Sequence, residues 1–268
     1  MEYFLELGRV SGRMGNQQKL VERSGYYRKS VVFERVWKIG LRWRSVCMKK
    51  KMLYRVFFYI LGMLLLALGI TLNTRTNLGV SPLISVAFCV SQLISANMGD
   101  ITLIWYIVFV LVEIFCHVGM KRYKMILADI LQIPVSIVFT RFMNLFADFI
   151  PNMTGSIVIR VLFLFLAIAL TGMGIVFSLN ARIIPNPGDG IVQALSDCSG
   201  RQVSTMKNIL DAVCVVITIV ISLIFAGKII GIGIGTVLAV IFVGRVVAVG
   251  NHFLKATIRK LSGLEMEV

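Results

Sequence analysis

The sequence predicts an all-α, polytopic helical membrane protein of two tandem repeats, with about six full transmembrane helices and two short half-helices. Three observations predict it. The chain of 268 residues is 57% hydrophobic and 15% charged, with a mean hydropathy of +0.86, so lipid is its expected main solvent. Its apolar runs are continuous and lack a period of two, which selects helices over a closed barrel, the other structure able to pair its backbone in lipid. The runs also follow the order long, short, long, long, twice over.

The first stretch is basic. Lys and Arg are dense from Arg9 to Arg55, which holds 14 of the 28. Positive residues beside the first span predict a cytoplasmic N-terminus, and a juxtamembrane cluster of this kind sets topology or touches anionic lipid, so nucleic acid is not an expected partner. Residues 1–52 are read as a basic N-terminal extension, cytoplasmic and poorly ordered. The text changes character at Met48-Lys49-Lys50-Lys51-Met52, and Met48 or Met52 is the expected native start.

The apolar runs then come as Val56 to Leu72, Leu83 to Ala96, Ile101 to Val118, Met125 to Ile150, Ser156 to Leu179, Ile191 to Ser199, Met206 to Ala226 and Ile229 to Phe253. A span needs about 20 apolar residues, which the second and sixth runs lack. Residues 53–150 and 151–256 are read as two membrane repeats and 257–268 as a cytoplasmic tail. A shift of 105 lays Arg55, Gly69 and Pro82 on Arg160, Gly174 and Pro187, and a later gap of two lays Thr102 on Thr205.

Loop charges decide how many runs cross. With eight spans, Lys121, Arg122 and Lys124 fall outside, against the positive-inside rule. If the short runs dip in and return, those three join Arg182, Arg201 and Lys207 inside, leaving Arg75 and Lys228 outside. Three crossings per repeat invert the second copy relative to the first, as in many secondary transporters. Both termini are then cytoplasmic.

Little in the chain suggests catalysis. The five cysteines are scattered without a CxxC, the histidines are His117 and His252 alone, and HExxH, GxSxG and GxxxxGK patterns are missing. No enzyme activity, metal or cofactor is expected. Gly231 and Gly235 form a GxxxG that is read as a close-packing face within a span.

The candidate binding text is Asn180 to Gly190, broken by Pro185, Pro187, Gly188 and Gly190, with its counterpart Asn73 to Pro82. Freed N–H groups at such breaks suit an anionic group and freed carbonyls a cation, whereas a plain loop with Ser81 or Asp189 as helix N-cap needs no ligand. The residues expected to line a substrate site are Asn77, Gly79, Ser81, Asn186, Gly188 and Asp189. Asp129 and Gln132 join them, since their spacing puts both on one helix face.

Ionisable residues inside apolar runs cost about 2.5 to 3.5 kcal/mol each at mid-membrane, which singles out Glu113, Asp129, Asp197, Asp211, Arg141 and Arg245. Lys207 and Asp211 have the spacing of a structural i,i+4 pair, Glu113 and His117 that of a hydrogen-bonded pair or proton relay, and Arg141 and Arg245 are expected to snorkel.

Leu68-Gly69-Ile70, Asn77-Leu78-Gly79-Val80-Ser81-Pro82, Pro185-Asn186-Pro187-Gly188-Asp189-Gly190 and Gly231 to Thr236 together resemble the bacterial YczE/YyaS/YitT-type membrane protein family. The likeness runs from about Leu53 to Leu254. It implies a bacterial cytoplasmic-membrane location and a duplicated core, and it supplies no catalytic residues. The function expected from the residues is a small-solute transporter or permease, with a membrane scaffold that binds a partner protein as the alternative. The expected partners are the lipid bilayer and a small molecule or ion, and a homo-oligomer is left open.

Overall fold

The computed structural model describes the backbone of residues 30–264 and the side chains of residues 50–264. Expectations about residues 1–29, and about the native start in so far as it concerns them, lie outside the described residues. The chain divides into two compact units, Met1–Lys50 and Lys51–Val268, and the second holds the helical bundle.

Eight helices are described: α1 (Ser30–Arg75), α2 (Pro82–Leu93), α3 (Met98–Gly119), α4 (Tyr123–Phe149), α5 (Ile157–Ala181), α6 (Pro187–Ser199), α7 (Val203–Ala226) and α8 (Ile234–Ser262). Six stretches are long and apolar enough to cross a bilayer: Lys50–Arg75 of α1, together with α3, α4, α5, α7 and α8. The short α2 and α6 have 12 and 13 residues, so at 1.5 Å per residue each covers about 20 Å, less than the roughly 30 Å of hydrocarbon. Six full spans with two short helices therefore replace the eight-span alternative. Large apolar side chains face outward along the spans, Phe115 at 80% and Phe225 at 73% exposure among them, as a lipid-facing surface requires.

Both short helices begin at proline. Pro82 and Pro187 sit in the first turn, where the missing N–H costs nothing and the fixed φ suits the helix. Ahead of each, the preceding spanning helix ends in a left-handed residue, Asn77 (φ 53°) and Arg182 (φ 49°).

Those two ends are held reciprocally. Arg55, near the start of the α1 span, donates from Nε to the Ala181 carbonyl (3.1 Å) and from Nη2 to that of Arg182 (2.7 Å). Arg160, near the start of α5, donates likewise to Thr76 (2.7 Å) and Asn77 (2.6 Å) at the end of α1. The two helices are thus antiparallel. A planar guanidinium spans two neighbouring carbonyls as an ammonium does not. Arg55→Ala and Arg160→Ala are each expected to lower stability by about 1 to 2 kcal/mol, with Lys restoring less than half, as read by thermal unfolding in detergent. A full rescue by Lys would show that charge alone matters there.

Between these ends, α1 and α5 touch backbone to backbone. A Cβ on Gly69 would lie 2.6 Å from the Thr171 nitrogen, and one on Gly174 would lie 2.5 Å from the Leu66 nitrogen.

Each short helix runs beside a spanning helix of the other half. In α2, Ser85 meets the Thr218 hydroxyl of α7 at 2.7 Å and Cys89 meets Ser222 at 3.1 Å, so the two helices run in the same direction. In α6, Gly190 lies against Glu113 of α3, and Asp197 pairs with Arg122 just beyond it. Both short helices therefore start near mid-height and climb back to the face they came from. Lys121, Arg122, Lys124, Arg182, Arg201 and Lys207 fall on one face, with Arg75 and Lys228 on the other. The Lys51 side chain rests against Gly263, so the two ends of this unit share a face, as an even number of crossings demands.

Polar side chains fasten the remaining elements. Asn144 of α4 caps α3 by accepting from the Gly99 N–H (2.8 Å), and Arg141 pairs with Asp100 at 2.9 Å. Arg245 stacks over the Phe242 ring at 5.5 Å. The Lys207–Asp211 pair forms at 3.2 Å, as its spacing predicts.

The glycines before α8 do not pack as a helix face, contrary to the GxxxG reading. Gly231 and Gly233 lie in the α7–α8 loop, and this loop pairs with the segment before α2. Val80 N–H donates to the Gly231 carbonyl and Gly235 N–H to that of Leu78, both at 2.8 Å. Gly79, at φ +115°, takes a backbone conformation that side chains rarely adopt, and a Cβ there would meet Gly233 at 2.7 Å.

Candidate functional site

The N-terminal turns of α2 and α6 meet in the interior, where Leu83 lies directly over Gly188. Neither turn is capped by a side chain. Ser81 and Asn186 occupy the N-cap positions without a capping hydrogen bond, so Asp189 is not the N-cap but a residue of the first turn. Asn186 turns instead toward the Tyr106 hydroxyl of α3. Pro82 and Pro187 have no N–H, and the Ile84, Asp189 and Gly190 N–H groups turn back to the Ser81 and Asn186 carbonyls, so it is the positive end of each helix, with the Leu83 and Gly188 N–H groups, that faces the centre of the bundle.

Asp189 lies outside the six spanning helices. Its side chain is half-buried, and its charged neighbour is Lys207 of α7.

A cavity of about 10 Å³, room for about one water, adjoins this point. Tyr59 and Met63 of α1, Ser136 of α4, Ser178 of α5, and Asn186 and Pro187 of α6 line it. Tyr59, Met63 and Val135 also border a larger apolar groove of about 450 Å³ between α1 and α4, which runs on past Pro134, Val138 and Phe142.

Below the cavity, Ser136 leads to four buried polar side chains, Glu113, His117, Asp129 and Gln132, clustered where α3, α4 and α6 meet. Ser136 donates to the Gln132 carbonyl at 2.7 Å, one turn along α4. The Gln132 amide donates from Nε2 to Glu113 Oε2 at 2.6 Å, and His117 Nδ1 meets Asp129 Oδ2 at 2.7 Å. All four residues are buried, Glu113 and Gln132 to 1% exposure. Gly190 gives them space, since a Cβ there would stand 2.8 Å from both Glu113 oxygens and 3.0 Å from Gln132 Nε2. Two oxygens of the cluster, Glu113 Oε1 and Gln132 Oε1, are buried without a hydrogen-bond partner.

The residues singled out from sequence fall into three groups. Asn186, Gly188 and Asp189 lie together at the start of α6. Asp129 and Gln132 lie in the buried cluster, connected to that point through Ser136 and Gly190. Asn77 and Gly79 lie apart from both, in the segment paired with the α7–α8 loop, where Asn77 Nδ2 reaches the Met153 carbonyl at 3.5 Å. Ser81 stands between, at the start of α2. Sequence reasoning missed Tyr106, Ser136 and Tyr59, each an unremarkable residue in an apolar run. It put Glu113 with His117, whereas each finds its partner on α4. No group of three or more His, Cys, Asp or Glu suited to a metal occurs among the described residues.

A family model described as "Family of unknown function (DUF6198)" matches residues 53–252. The "Uncharacterized protein YyaS" of Bacillus subtilis (strain 168) is 24% identical over 185 residues, which cover 68% of this chain and 85% of that protein. No solved structure matches.

Proposed function

We propose that this chain, which belongs to the DUF6198 family of unknown function, is a small-solute transporter of the cytoplasmic membrane with its site at the start of α6. The observation that carries this reading is the meeting of two uncapped half-helix starts at mid-height, beside a cavity lined by Asn186, Ser136 and Ser178. Secondary transporters place solutes at such discontinuous helices, where backbone donors replace water. The reciprocal hold of Arg55 and Arg160 supports an inverted repeat, the arrangement that lets one half move against the other about a fixed site. The loop charges support cytoplasmic termini.

Thermal unfolding of the purified protein across pools of metabolites tests the reading. A solute present at about 100 times its Kd stabilises by about 2.7 kcal/mol, enough to move the midpoint by several degrees. Asp189→Asn is expected to abolish that shift while leaving the unliganded midpoint nearly unchanged, Asn186→Ala to abolish it while lowering that midpoint by a few degrees because the buried Tyr106 hydroxyl loses its neighbour, and proteoliposomes should take up the same solute. A protein that responds to no pool but co-purifies with one defined partner is instead a membrane scaffold.

A further inference from the structure

The buried cluster on α3 and α4 has a defect that one particle would repair. Gln132 and Glu113 face each other with a single hydrogen bond, Nε2 to Oε2 at 2.6 Å, and each keeps one buried oxygen without a partner. An ionised carboxylate has no donor, so this pair makes one bond and leaves two buried acceptors unpaired. A carboxylic acid beside a primary amide makes two parallel bonds, the amide N–H to one acid oxygen and the acid O–H to the amide oxygen. Turning the amide over adds no donor, so an ionised Glu113 would still leave acceptors unpaired. We propose that Glu113 is a proton-binding site, closing an acid–amide pair with Gln132 when occupied, and that H⁺ is the coupling ion.

Location supports the assignment. The groups facing Glu113 are Cys116 and His117 from α3, Asp129 and Gln132 from α4, and Gly190 from α6; Cys198 of α6 stands beside Cys116, and Arg122–Asp197 lies farther toward the face. Among the described residues, no Lys or Arg acts on Glu113, so a proton is the available means of neutralising it. His117 already engages Asp129 through Nδ1, which places a second exchangeable pair one turn nearer the charged face of the bundle. The step is a transfer of H⁺ alone. Glu113 gains a proton at Oε1 and forms one bond to Gln132 Oε1; on release that bond breaks and the carboxylate returns. Gly190 connects the event to the solute point, since α6 touches both carboxyl oxygens one turn from Asn186.

Only the coupling role rests on the transporter reading; proton binding is tested without a solute. Infrared difference spectra of the full chain in lipid, stepped through neutral pH, are expected to contain an acid carbonyl band that shifts in D₂O and is lost in Glu113→Gln. His117→Gln should keep the band and move its titration midpoint. Glu113→Asp, which retains the carboxyl, should move the band's frequency and serves where Glu113→Gln does not fold. A spectrum without an acid band, or a band unchanged in both Glu113 variants, overturns the proposal. A band that responds to Na⁺ at fixed pH overturns it in favour of a cation site. Failure of solute uptake with the band intact would instead sink the transporter reading and leave the proton site standing.

Discussion

Replacing Gly174 by Val is expected to abolish monodisperse protein in detergent, because it separates the two helices on which both halves hang. The Cβ would sit 2.5 Å from the Leu66 nitrogen and 2.8 Å from the Gly62 carbonyl oxygen, and neither atom can move without moving α1. Overpacking a close-packed interior commonly costs about 1 to 3 kcal/mol, and with backbone on the far side the loss belongs at or above that upper end. Against a total stability of about 5 to 15 kcal/mol this is decisive. The added γ-methyls would also lengthen the bonds from Arg55 and Arg160 at the two ends of the same contact. Gly155→Val is the control, since a Cβ there meets nothing within 4 Å, and it should elute and unfold as the parent does. Equal behaviour of the two variants would mean that α1 and α5 do not cross at this contact.

The second large effect is one of sidedness. A single cysteine in place of Lys121 should react with an impermeant maleimide from the cytoplasmic side only, and one in place of Asn152 from the opposite side only. The exposed native Cys198, and Cys47, whose side chain is outside the described residues, are replaced first. The expectation follows from α4, whose 27 residues carry the chain about 40 Å from the turn at Lys121 to the loop that receives Arg75. Labelling of both positions from the same side would break the assignment of three crossings to each half.

Much of this frame was legible because its signals are local. Pro82 and Pro187 interrupt apolar text at a fixed distance before a run too short to span, and the loop lysines and arginines then leave one economical path. The Lys207–Asp211 pair is legible for the same reason, since both residues lie on one helix face. The site was legible only in part. Asp129 and Gln132 declared themselves as polar residues on a shared face, but Glu113 lies 19 residues from Gln132 across the α3–α4 hairpin, and no spacing rule reaches that far. Periodicity therefore offered Glu113 its own-helix neighbour His117, and packing gave each of them a partner on α4. The segment from Asn77 to Ser81 shows the converse. Gly79 looked like a ligand contact because a free backbone and a close-approached backbone leave the same mark in sequence, a glycine beside a proline. The neighbour that comes close is Gly233.

That pairing also orders events during synthesis. When the ribosome has made only the first four helices, the Val80 N–H and Leu78 carbonyl have no Gly231 or Gly235 to meet, and Arg55 has no α5 to hold. The nascent first half thus waits at the membrane with its short helix held only against α3, where Trp105 Nε1 donates to the Leu83 carbonyl, until α7 and the last loop emerge. A chain truncated after α4 is therefore expected to be degraded faster in membranes than the full chain, and the two halves, expressed as separate polypeptides, should lengthen one another's half-life in a pulse-chase measurement.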